Sequence, residues 1–150
     1  VTSTLNIASV DLHSGTVVLT RNNPAPIFVA RRGQADCLTA ESKPLGTSRD
    51  VRPVISEIEL ETDLTIVIFT DGVTHAGKRR GQSMDVCEVI QSLIEEQDPP
   101  PQELADSLLA YAVKLDEDRP ADDISVLVLK VVPRDGDDVR RMRIRLPLNS

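Results

Sequence analysis

The stretch TIVIFTDGVTHAG, residues 65–77, decides how this chain is built. From Leu64 to Phe69 apolar residues occupy both alternating sets of positions, so a strand formed here needs apolar cover on both faces of its sheet. Such a strand lies inside a layered domain, with another sheet or a layer of helices against each side. The run stops at Asp71–Gly72. An aspartate there is either part of a solvated turn or a carboxylate offered to a ligand from the rim of a rigid sheet.

The segments before this strand alternate as antiparallel strands do. Leu5, Ile7 and Ser9 share one face, DLHSG (residues 11–15) turns the chain, and TVVLTR (16–21) returns, with Gly15 free to adopt positive φ. RNNPAP (21–26) reads as a structural turn, IFVARR (27–32) as a third strand, and ADCLTA (35–40) pairs back on it across residues 32–34. VISEIEL (54–60) is a further strand. After the central strand, Met84, Cys87, Ile90, Leu93 and Ile94 recur at helical spacing, and the helix stops before DPPP (98–101). Pro101 opens a second helix without losing a hydrogen bond, and Leu104, Leu108, Tyr111, Ala112 and Leu115 form its stripe. ISVLVLKVV (124–132) is the last strand. Beyond Pro133, Met142, Ile144 and Leu146 alternate with Arg141, Arg143 and Arg145, which fits either an edge strand or a basic arm for an acidic partner. The expected division is therefore a domain over residues 1–132 and a basic extension over 133–150.

Bulk composition narrows the function. The 150 residues suffice for one domain, and with 2% aromatic residues and no Trp the core must come from Val, Ile and Leu. Few aromatic faces and a net charge of −7 argue against nucleic acid as a partner. No apolar run reaches membrane-spanning length. Cys37 and Cys87 are too few and too far apart for a zinc site, and read as reduced thiols in a cytoplasmic protein, one on a strand and one on a helix.

Two strands are bounded by aspartate. Asp71 follows the buried strand, and Asp122 and Asp123 precede the last one. If these strands are antiparallel neighbours, both acidic segments meet at one sheet edge, some fifty positions apart in sequence. Converging carboxylates repel, and a divalent cation removes that cost. Carboxylate and water ligands suit Mg²⁺ or Mn²⁺ rather than zinc.

These residues also carry a resemblance. FTDGVTHA (69–76) resembles the TDGVTEA signature of bacterial metal-dependent protein phosphatases, the stage II sporulation protein E-like branch of the protein phosphatase type 2C superfamily. RPADDISVLVLK (119–130) is similar to that family's closing motif; NNPAPIFVAR (22–31), KPLG (43–46) and PQELADSLLA (101–110) follow its order of elements. The resemblance implies an α+β fold, a four-layer α-β-β-α sandwich with antiparallel sheets. It implies hydrolysis of phosphoserine or phosphothreonine on a protein, with two Mn²⁺ or Mg²⁺ ions and a metal-activated water. Carried over by position, Asp71 and Asp122 are metal ligands and catalytic groups. Gly72 and Asp123 stand next to them, Asp123 either steadying the turn into the last strand or holding a metal-bound water. Lys78, Arg79 and Arg80 either attract the phosphoprotein or form a solvated loop. Within this branch the substrate is often a phosphorylated anti-sigma-factor antagonist.

The family's other metal-binding aspartates lie in an early Gly–Asp–Gly motif, and nothing of that kind precedes Leu5. The Gly–Asp in DGDD (135–138) follows the last strand and is not assigned that role. His75 replaces the signature's glutamate without removing a ligand, and His13 sits in a hairpin turn. Three readings stay open. The span is the C-terminal portion of the family fold, or a homodimer or other polypeptide completes the sandwich, or the domain is a non-catalytic interaction module.

Overall fold

The alternating segments form two antiparallel sheets in the computed structural model, which describes residues 1–133 and 136. The first sheet contains β1 (Leu5–Asp11), β2 (Thr16–Asn22) and β5 (Val54–Glu59), in the order β1-β2-β5. The second contains β3 (Ile27–Arg31), β4 (Gln34–Leu38), β6 (Thr65–Phe69) and β7 (Val126–Lys130), in the order β4-β3-β6-β7. Helical elements complete the described set: a single turn α1 (Asp71–Thr74), a 3-10 turn at Lys78–Arg80, then α2 (Val86–Gln97) and α3 (Pro101–Leu115).

The double cover required by β6 is present. Ile66 packs with Val17, Leu19, Ile27, Val29, Ile58 and Leu64 between the sheets. Val67 and Phe69 pack on the opposite side with Phe28, Ile90, Leu104 and Leu108, beneath α2 and α3. Each fully buried Ile, Val or Phe side chain contributes roughly 1.5–3 kcal/mol, which makes this strand the axis of both cores. Tyr111 departs from the expected stripe of α3 and is exposed, while Leu104, Leu108 and Ala112 are buried.

Among the described residues helices cover one sheet only, so the layers number three rather than the expected four. The outer face of the three-stranded sheet carries Leu5, Ile7 and Ile55, which are 43%, 47% and 64% exposed. The inward face of β1 is instead Asn6, Ala8 and Val10. Alternation alone gives two faces without saying which is covered.

Turn chemistry follows the sequence closely. Asp11 Oδ1 accepts from the backbone N–H of His13 at 2.8 Å and Ser14 at 3.2 Å, and Gly15 closes the hairpin at φ 70°. These bonds, with that from His13 foremost, pull the Asp11 carboxyl below its ordinary range. His13 supplies only its main chain there. The RNNPAP turn is built around Arg21, a buried cation whose guanidinium donates to the carbonyls of Asn23, Ala25 and Ala40. Burial lowers its pKa. Replacing it strands three carbonyls, so Arg21→Ala is expected to cost more than about 2 kcal/mol in urea unfolding.

The expectation of two reduced thiols is overturned. Cys37, on edge strand β4, and Cys87, on α2, form a disulfide that ties the helix to the sheet it covers. The strand and helix assignments were legible; the pairing was not, because only the tertiary fold brings residues 50 positions apart together. The argument from free thiols to a reducing compartment therefore lapses. Of the basic segment after Pro133, only Gly136 is among the described residues. Closing a loop of this length stabilises by about 4 kcal/mol at most in the chain-entropy account. A Cys37→Ser/Cys87→Ser variant is expected to unfold at lower urea than the oxidised protein and to match the reduced one.

Candidate functional site

The pairing of β6 with β7 sets the site. The strands are antiparallel, with Thr65 opposite Lys130 and Phe69 opposite Val126. Their ladder continues one step, Thr70 N–H donating to Ser125 O at 3.1 Å. The residues that leave β6 therefore lie against those that enter β7. Asp71 and the Asp122–Asp123 segment come to the same sheet end, as expected from antiparallel neighbours.

Local detail differs from a simple Asp–Gly turn. Asp71 is the first residue of α1, and its carbonyl accepts from His75 N–H at 2.8 Å. Val73, fully buried, anchors this turn in the helix-side core. Gly72 is buried too, and a Cβ there would overlap the Asp123 carbonyl oxygen while sitting 3.1 Å from its carbon and 3.2 Å from Ile124 Cγ1. Only a residue without a side chain lets the two segments approach so closely. Asp71 is partly buried, whereas Asp122 and Asp123 are exposed in the bend before β7. Asp122 Oδ1 accepts from Asp123 N–H at 2.8 Å, which fixes that bend.

Two contributors escaped the sequence reading. Thr70 Oγ1 donates to Asp123 O at 3.2 Å and accepts from Ser125 N–H at 3.0 Å. Asp116, buried at the end of α3, accepts from Gly77 N–H at 2.8 Å and ties down the far end of the α1 loop. Both are common polar residues beside louder motifs, and the signal for each lies in its partner, 39 to 55 positions away. Lys78, Arg79 and Arg80 form an exposed 3-10 turn after this loop, with Arg80 paired to Glu117 at 2.6 Å. An ion pair so exposed contributes little to stability. His75 is exposed at the end of α1.

The donors at this sheet end are carboxylate oxygens, of the kind that Mg²⁺ and Mn²⁺ take. Their number is short: among the described residues no group of three or more His, Cys, Asp or Glu is placed to hold a metal ion. The fit is one of donor type only.

The sequence comparison is decisive on kinship. The family described as stage II sporulation protein E (SpoIIE) matches residues 1–132. The chain belongs to the SpoIIE family. It is thus a PP2C-like serine/threonine phosphatase-family domain with a mixed α+β fold and antiparallel sheets. No curated protein matches the sequence. The phosphatase domain of SpoIIE from Bacillus subtilis, in a crystal form without domain swapping, aligns with TM-score 0.70 and 19% identity, over 96% of this chain and 61% of that one. The catalytic domain of the serine/threonine phosphatase PstP, solved with two manganese ions, aligns with TM-score 0.67 and 17% identity, over 87% of this chain and 59% of that one. The Mycobacterium tuberculosis phosphatase PstP/Ppp aligns with TM-score 0.65 and 15% identity, over 87% and 60%. This SpoIIE-family chain thus spans about three fifths of each of those domains.

The contact at Gly72 gives a test. Gly72→Ala is expected to cost about 1–3 kcal/mol, because the Asp123 carbonyl must shift to admit a methyl group. Equal urea midpoints for the two proteins would show that the segments are not in contact.

Proposed function

We propose that this SpoIIE-family domain hydrolyses phosphoserine or phosphothreonine on a protein, using Mn²⁺ or Mg²⁺ held in part by Asp71 and Asp122. The observation that carries this reading is the β6–β7 register, which brings two acidic segments separated along the chain to one sheet end. Family membership supports it. When bound, divalent ions lower the pKa of a water and neutralise phosphoryl oxygens.

The chain's own residues bind and orient. Asp71 offers its carboxylate from a helical turn anchored by Val73, while Asp122 offers one from a bend fixed by its bond to Asp123. Gly72 permits the close approach of the α1 turn to the Asp123 backbone. Lys78 and Arg79, exposed beyond α1, draw in an acidic phosphoprotein. The substrate class proposed is a phosphorylated regulatory protein such as an anti-sigma-factor antagonist, and the remaining metal donors come from outside the described residues.

The shortage of clustered donors favours a second reading, a non-catalytic module that keeps the fold and binds a partner. No helix among the described residues is long and apolar enough to cross a membrane.

Manganese titration separates the two. A ligand at a hundred times its Kd raises stability by about 2.7 kcal/mol, so Mn²⁺ is expected to raise Tm if carboxylates share an ion. Asp71→Asn or Asp122→Asn is expected to abolish that rise, and with it manganese-dependent hydrolysis of p-nitrophenyl phosphate, in a protein that still folds. Hydrolysis surviving both substitutions would reject the ligand assignment. An absent thermal response in the parent protein favours the module.

A further inference from the structure

We propose that Thr70 is the positioning residue that sets the separation of the Asp71 turn and the Asp122–Asp123 bend; its consequence for metal binding rests on the metal reading above. At this point β6 must end and α1 must begin. In a continuing antiparallel ladder, Ser125 N–H would bond to the Thr70 carbonyl. That carbonyl bonds into α1 instead, accepting from Val73 N–H at 3.0 Å. The Thr70 hydroxyl stands in for it and accepts Ser125 N–H at 3.0 Å. Its own proton goes to Asp123 O, 3.2 Å away.

One side chain thus permits the change from strand to helix without leaving a ladder N–H unpaired. The same group fixes the peptide that follows Asp123. The main-chain bond from Thr70 N–H to Ser125 O holds the strand ends together but does not reach Asp123. Gly72 allows close approach of the segments, and the hydroxyl decides where the approach stops. Aspartates carried on two separate segments can share an ion only while that spacing is kept.

Amide hydrogen exchange by NMR tests the clamp without any metal. Thr70→Val keeps the shape and removes the hydroxyl. It is expected to speed exchange at Ser125 about tenfold, with Ile66 and Leu129, a hydrogen-bonded pair inside the β6–β7 ladder, unchanged, while Thr70→Ser stays near the parent protein. Unchanged exchange at Ser125 in Thr70→Val overturns the proposal whether or not metal binds. In Mn²⁺ titrations read by Tm, Thr70→Val is expected to weaken apparent affinity about tenfold, and Thr70→Ser to restore it. Faster exchange with unaltered Mn²⁺ affinity overturns the positioning role. A parent protein with no response to Mn²⁺ rejects the metal reading and Thr70's part in it, and the exchange data alone then decide the clamp.

Discussion

The burial of β6 on both faces is the constraint from which the architecture follows. Ile66 needs the three-stranded sheet, and Val67 and Phe69 need the helices. With β3 on one side and β7 on the other, β6 has no free edge. A strand held from four directions is rigid, and its end is a firm platform. The residues that follow it, Thr70 to Val73, inherit that rigidity, which suits a group that must be placed accurately.

The connection from β6 to β7 carries the second part of the logic. The chain runs out through α1, crosses the sheet face as α2 and α3, and returns antiparallel to its starting strand. The excursion buries Ile90, Leu104, Leu108 and Ala112 against the helix-side core, so its path is set by apolar packing. Polar bonds then sew its two ends together, with Thr70 to Asp123 and Ser125 at one place and Gly77 to Asp116 at another. The disulfide between β4 and α2 adds a covalent tie at the opposite edge of the same sheet. Packing brings the acidic segments together, and directional bonds fix their spacing.

The two sheets are not equally finished. One is covered on both faces, while the other leaves Leu5, Ile7 and Ile55 open on its outer side among the described residues. Among the described residues no group of three or more His, Cys, Asp or Glu is placed to hold a metal ion. The chain spans about three fifths of the solved phosphatase domains it resembles.

Local physics made much of this molecule legible in the sequence. The non-alternating run at β6 required a layered fold, Gly15 marked a hairpin, Pro101 opened α3, and the aspartates flanking β6 and β7 identified the acidic sheet end. Each is a property of neighbouring residues: a period, a dihedral preference or a missing donor. What tertiary structure alone decided involves partners far apart in the chain. It chose Asn6, Ala8 and Val10 as the inward face of β1, joined Cys37 to Cys87, exposed Tyr111, and gave Thr70 and Asp116 their roles. A hydroxyl or a thiol carries no mark of the group it will meet, because that meeting depends on how the layers stack.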